Sequence, residues 1–245
     1  MKVFAHRGAS GDYPENTILA FDKALGLNVY GLELDVHKSK DGHLVVIHDE
    51  DVQRTFKGKG LVMDYNLDQL KKFDCRKFEF IKNTDCKIPT LREVFELIKD
   101  SDDLTLNIEA KTDLIHYDLE QDVLDLIKEY NFENKVLISS FNHKCIKVFK
   151  ELDNTLKYGA LYEFEKDYAS EANVVEHAKK LGVYSLNISK DLVTKEMVEL
   201  AHKNGLKVFV YTVNAPIVMR KMIEFNVDGV FSDYPDLMNE IIREY

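Results

Sequence analysis

Residues 184–245 read YSLNISKDLVTKEMVELAHKNGLKVFVYTVNAPIVMRKMIEFNVDGVFSDYPDLMNEIIREY. Three short β-rich runs, at 184–187, 207–212 and 229–232, alternate here with three helical patterns, at 194–202, 216–225 and 235–244. Val193, Met197, Val198, Leu200 and Ala201 recur at the spacing of a buried helical stripe. Gly182 and Gly205 stand where helix C-caps are expected, and Pro216 and Pro235 where first helical turns are expected. Toward the N-terminus the same rhythm continues, with strand candidates at 3–5, 31–36, 104–109, 136–140 and 158–161 and helices at 17–25, 119–130 and 172–181. Eight strands, each leading to a helix, predict an α/β fold of the closed (β/α)8 TIM-barrel type. An open doubly wound sheet is the competitor, but no strand is followed by the glycine fingerprint of that fold. We expect one barrel domain spanning 1–245.

One stretch breaks the pattern. A hairpin at 36–49 follows the second strand, with Asp41-Gly42 as its turn, and residues 50–89 then show weak periodicity before a helix at 91–99. These 50–89 residues read as a small insertion above the barrel mouth, with some helix near 67–73. An active-site lid and an inert surface elaboration are both open readings.

Of the 245 residues 45% are hydrophobic, enough for one sizeable core, and no apolar run approaches the ~18 residues of a membrane span. The N-terminal residues are too polar for a signal peptide, and three unpaired cysteines fit a reducing compartment, so a cytoplasmic protein is expected. A net charge of −10 argues against nucleic acid and against a broad anionic membrane surface as partners. An anionic small molecule then requires a local cluster of cations or a metal within one cleft.

The ends of the strands supply such a cluster. Strand one ends His6-Arg7-Gly8, strand two carries Glu33-Leu34-Asp35, the hairpin returns to His48-Asp49, and strand three ends Glu109-Ala110-Lys111. Two residues apart on a strand, Glu33 and Asp35 point to one side, and Glu109 adds a third acid. Three hard oxygen donors without cysteine suit Mg2+ or Ca2+, whereas pairing with Arg7 and Lys111 would make the same acids purely structural. If Asp41-Gly42 is the turn, cross-strand counting places His48 roughly opposite Asp35, with His6 on the other flank, a pair suited to acid and base. The other six histidines, at 37, 43, 116, 143, 177 and 202, read as surface or capping residues.

Taken together, HRG (6–8), PENT (14–17), ELDV (33–36), KDGHLVVIHD (40–49), NIEAK (107–111), SSF (139–141), YTVN (211–214) and DGVFSDYPD (228–236) resemble the glycerophosphodiester phosphodiesterase family. HRG alone is weak; the ordered set over nearly the whole chain is specific. The resemblance implies a phospholipase-C-like barrel that hydrolyses glycerophosphodiesters to glycerol 3-phosphate and an alcohol, by way of a cyclic phosphate. It implies one divalent ion, Ca2+ or Mg2+, on Glu33, Asp35 and Glu109, with His6 and His48 as the acid–base pair. Arg7 and Lys111 are implied as phosphate contacts, and Phe141 and Tyr211 as further substrate contacts. Tyr211 stands where the family commonly has Trp, and Ala110 where a branched residue is usual. Within Pro14–Thr17, Asn16 or Thr17 serves as a helix cap, and Glu15 stays outside the catalytic set. Two other functions remain open: a lysophospholipase-D-like hydrolase using Phe78, Phe80 and Ile81 as an acyl landing, and a non-catalytic phosphodiester-binding barrel. Oligomeric state is not fixed by these motifs, and a homodimer is compatible with them.

Overall fold

The computed structural model of the protein describes residues 1–112, 114–115, 117–163 and 171–245. In chain order the elements are β1 (Lys2–His6), α1 (Ile18–Leu25), β2 (Gly31–Lys38), β3 (Leu44–Val46), α2 (Leu67–Leu70), α3 (Leu91–Ile98), β4 (Thr105–Ala110), α4 (Glu120–Glu129) and β5 (Val136–Ser140). There follow α5 (His143–Leu152), β6 (Lys157–Tyr162), α6 (Glu171–Leu181), β7 (Ser185–Ser189), α7 (Lys195–Lys203), β8 (Lys207–Tyr211), α8 (Pro216–Glu224), β9 (Gly229–Ser232) and α9 (Pro235–Arg243). Strands β2 and β4–β9 pair in parallel, and β1 pairs in parallel with both β2 and β9. That double pairing closes the expected eight-stranded barrel, with β3 hung antiparallel on β2.

Local chemistry explains the boundaries. Pro216 and Pro235 open α8 and α9, and Thr17 caps α1 by accepting a hydrogen bond from the Ala20 backbone N–H at 3.2 Å. Gly182 and Gly205 adopt positive φ (67° and 76°) just past α6 and α7. Inside the barrel Phe4, Leu137, Phe209 and Phe231 form an aromatic-rich floor, with Phe4 and Phe231 ring centroids 4.9 Å apart. His6 and Glu33 are in register one strand layer higher, two residues past Phe4 and Gly31. The polar mouth is thus built directly on a sealed apolar base.

The hairpin differs from expectation by one residue. Val36 pairs with Val46 and Lys38 with Leu44, so Asp35 faces Ile47, whose N–H donates to the Asp35 carbonyl at 3.1 Å. Gly42, at φ 86°, adds a third loop residue between Ser39 and His43, which shifts the count assumed for a two-residue turn. His48 nevertheless reaches the mouth, because β3 has ended at Val46 and the chain turns.

Residues 50–89 carry a core of their own. Val52, Phe56, Val62, Leu70, Cys75, Cys86 and Ile88 pack with Val45 and Ile47 of the hairpin. The helix expected near 67–73 is the single turn of α2. Phe80 packs partly against this cluster, while Phe78 is 85% exposed. Among the described residues no helix is long and apolar enough to cross a membrane.

Candidate active site

The C-terminal ends of the strands surround a cavity of about 830 Å³ lined by His6, Arg7, Glu33, His48, Glu109 and Lys111, among others. Two glycine-region backbones shape its first wall. Arg7 has φ 56° and Gly8 φ 82°, so the chain turns sharply at the end of β1. A Cβ on Gly8 would lie 2.6 Å from the Ala20 carbonyl carbon, which leaves glycine as the residue that fits between β1 and α1. The turn aims the Arg7 N–H at Glu33 Oε2 (2.9 Å) and brings the guanidinium Nε to 3.3 Å from Asp35 Oδ2.

Glu33, Asp35 and Glu109 converge as expected, each offering an oxygen within 4.8 Å of the others. Glu33 and Asp35 are buried, and the Glu109 side chain is 12% exposed. Burial pushes the Glu33 carboxyl well above the usual range, and the charges of Asp35 and Glu109 push it further. The Glu109 carboxyl is raised by burial too, although Lys111 Nζ, donating at 2.9 Å, opposes the rise. Asp35 goes the other way: burial would raise it, but Arg7, His48 and Lys111 hold it well below the carboxylate range. Asp35 Oδ1 is buried and, among the described residues, accepts no hydrogen bond. A buried carboxylate oxygen with no donor, beside two further acids, has the chemistry of a ligand set for a hard divalent cation. Arg7 and Lys111 therefore pair with the acids, as the structural alternative expects, yet Asp35 Oδ1 keeps no donor among the described residues.

Two imidazoles flank these acids, and each is backed by a carboxylate of its own. His6 Nδ1 donates to Asp233 Oδ1 at 2.6 Å, while its Nε2 lies 3.9 Å from Glu33 Oε2. His48 Nδ1 donates to Asp49 Oδ1 at 2.6 Å. Asp233 is held in turn by Ser10 Oγ (3.0 Å) and Asn214 Nδ2 (2.5 Å). Such partners orient each ring through Nδ1 and leave Nε2 as the nitrogen that can take up or give a proton.

Sequence reasoning gave no role in the site to Asp49, Asp233, Asn16, Glu15 or Arg54. Asp49 and Asp233 lay in view, one beside a candidate histidine and the other just past the last strand. Asn16, at φ 55°, is not the helix cap; it is buried and donates Nδ2 to Asp35 Oδ2 at 2.8 Å. Glu15 accepts from Arg7 Nη1 at 2.8 Å and belongs to the same charged network. Across the cavity Phe141 and Tyr211 meet edge to face at 5.9 Å, and the Tyr211 hydroxyl donates to the Tyr162 carbonyl.

Of the other histidines, His37 is fully buried and bonds the His48 carbonyl at 3.0 Å, so it supports the hairpin rather than the surface. His143 also departs from the surface reading, lining the cavity with its ring against Tyr162. His202 pairs with Asp228, His43 with Asp41, and His177 Nδ1 shares a hydrogen bond with the Tyr162 hydroxyl at 2.9 Å, while His116 lies outside the described residues.

A family model described as the glycerophosphoryl diester phosphodiesterase family matches residues 6–237. A glycerophosphodiester phosphodiesterase of Caldanaerobacter subterraneus is 44% identical, over 99% of this chain and 98% of that protein. The solved glycerophosphodiester phosphodiesterase of Thermotoga maritima is 36% identical at TM-score 0.80, covering 98% of this chain and 97% of its own. A phosphodiesterase of Oleispira antarctica, solved with the product sn-glycerol-3-phosphate, is 28% identical at TM-score 0.84, covering 99% and 97%.

Proposed function

Because this chain belongs to the glycerophosphoryl diester phosphodiesterase family, we propose that its barrel mouth hydrolyses glycerophosphodiesters to glycerol 3-phosphate and an alcohol through His6 and His48. One observation supports this most: two carboxylate-backed imidazoles line one cavity with Glu33 and Glu109, and the buried Asp35 completes their cluster of three acids. The chain is an enzyme of this class, which displaces the non-catalytic reading. The lysophospholipid reading gains no support from the mouth, since Phe78, Phe80 and Ile81 are not among the residues lining it.

His6 Nε2 accepts the proton of a glycerol hydroxyl, whose oxygen attacks phosphorus as the bond to the alcohol oxygen breaks. His48 Nε2 delivers a proton to that departing oxygen. The resulting cyclic phosphate is opened by water with the two roles exchanged, His48 taking the proton and His6 returning one to the glycerol oxygen. Asp233 and Asp49 stabilise whichever ring is cationic. Glu33, Asp35 and Glu109 would hold one divalent cation, Mg2+ or Ca2+, which supplies positive charge to the phosphate oxygens and acidifies the attacking hydroxyl. Arg7 and Lys111 add fixed positive charge beside the phosphate, and Phe141 with Tyr211 walls the alcohol side. Three buried thiols fit the reducing, cytoplasmic setting expected.

Incubation of the protein with glycerophosphocholine should release glycerol 3-phosphate, EDTA should abolish release, and Mg2+ or Ca2+ should restore it. Release that persists undiminished in EDTA would remove the cation from this reading. No release with either ion would defeat the reading itself.

A further inference from the structure

Arg54 belongs to the inserted segment, and its guanidinium reaches back to two carboxylates that stand behind the mouth, Asp49 and Glu15. Nε donates to Asp49 Oδ2 at 2.6 Å and Nη2 to Asp49 Oδ1 at 3.1 Å. Nη1 donates to Glu15 Oε2 at 2.7 Å and Nη2 to Glu15 Oε1 at 2.8 Å. One planar cation thus grips two carboxylates through both oxygens of each, a geometry a lysine ammonium cannot reproduce. Asp49 carries the His48 imidazole and Glu15 the Arg7 guanidinium, so a continuous chain runs His48–Asp49–Arg54–Glu15–Arg7–Asp35.

The support beneath Arg54 is firm. Val52 and Phe56, on either side of it in sequence, are buried in the insertion's core, and the Phe56 N–H donates to the Val52 carbonyl at 2.9 Å. The Arg76 N–H donates to the Thr55 carbonyl at 2.8 Å, tying the same turn to the next strand-like stretch. Residues 50–89 thereby hold the Arg54 guanidinium against Asp49 and Glu15. Without that cation Asp49 is free to rotate away from His48 Nδ1, and its charge faces that of Glu15 uncompensated.

We propose that Arg54 is a positioning residue for the acid–base chemistry, the contribution of the inserted segment being to lock His48 through Asp49. The proposal rests on the reading of His48 as an acid–base residue. It is tested on the full chain by a double-mutant cycle with glycerophosphocholine as substrate. Arg54→Ala should lower kcat about 10- to 100-fold, and Arg54→Ala added to Asp49→Asn should cost no more than about twofold beyond Asp49→Asn alone. Arg54→Gln, which keeps a polar side chain, guards against a variant that does not fold and should show the same dependence. A second readout needs no turnover: the His48 Nδ1 proton, identified by its loss in His48→Ala, should give a far-downfield NMR signal that Arg54→Ala shifts or broadens. Losses that multiply in the double variant, a kcat within about twofold of the original in Arg54→Ala, or an unmoved proton signal would each overturn the assignment. A protein that never releases glycerol 3-phosphate would instead defeat the proposed function, while the proton signal still judges Arg54.

Discussion

At the lower end of the barrel Asp228 accepts hydrogen bonds from the Val208 N–H (2.8 Å) and His202 Nε2 (2.8 Å) and pairs with Lys207 Nζ at 2.8 Å. At the upper end Glu33, Asp35 and Glu109 crowd within 4.8 Å, and Asp35 keeps an oxygen with no donor. The acid below is matched by donors on every side, whereas the acids above oppose one another. Burial and nearby donors move these carboxyls in opposite directions: Asp228, although burial resists it, is held low by Lys207 and Val208, while Glu33 is driven up. A barrel that can satisfy its acids at one end and leaves them in conflict at the other is spending stability on binding.

The sharpest way to break this contrast is to remove the groups that make the upper end chemical. His6→Ala and His48→Ala should each lower kcat for glycerophosphocholine by about 10^3-fold, with the urea midpoint of unfolding little changed. Imidazoles that merely fill the mouth would instead shift the midpoint and leave kcat within about tenfold.

A smaller effect tests the conflict directly. The Glu33 carboxyl is raised in the folded chain, so its stabilising contribution exists below its unfolded pKa and is lost as pH rises through the folded one. Near neutral pH, without divalent ions, Glu33→Gln should therefore stabilise the protein, by about 1–2 kcal/mol. Mg2+ or Ca2+ should raise Tm of the original chain and not of the variant, since an ion bound only by the folded state stabilises by mass action. Loss of stability in Glu33→Gln measured without divalent ions would mean that the upper acids are satisfied after all.

Both ends were unequally legible in sequence. The strands of the barrel and the positions of Pro216, Pro235, Gly182 and Gly205 follow from local propensity, and such signals survive folding unchanged. Glu33, Asp35 and Glu109 were readable because an acid at alternate positions of a buried strand is costly enough to need a reason. The hairpin count failed by one residue because the left-handed Gly42 lengthens the loop, a choice made by backbone geometry. Asp49 and Asp233 were visible letters without visible roles, since what sets them apart is the imidazole each one meets in space. Arg54 was hidden more deeply. Its partners at positions 15 and 49 come together only once the inserted segment has folded onto its own core.

The lower end supplies the smallest and cleanest test. Asp228 is depressed in the folded state, so its contribution is present above the unfolded value, about 3.9, and disappears as pH falls through the folded one. Lys207 and His202 are partly exposed, at 48% and 32%, so solvent screens the pairing and the net gain is modest. Asp228→Asn keeps an acceptor for the Val208 N–H but removes the charge. At pH 7 it should cost about 1 kcal/mol in urea unfolding, and the cost should shrink toward zero as the pH is lowered below the usual carboxylate range. The opposite dependence, a cost that grows on acidification, would show Asp228 to be strained like Glu33 and would erase the difference between the two ends. A constant cost at all pH values would reduce Asp228 to a neutral hydrogen-bond acceptor, leaving charge conflict at the mouth with no compensated counterpart below.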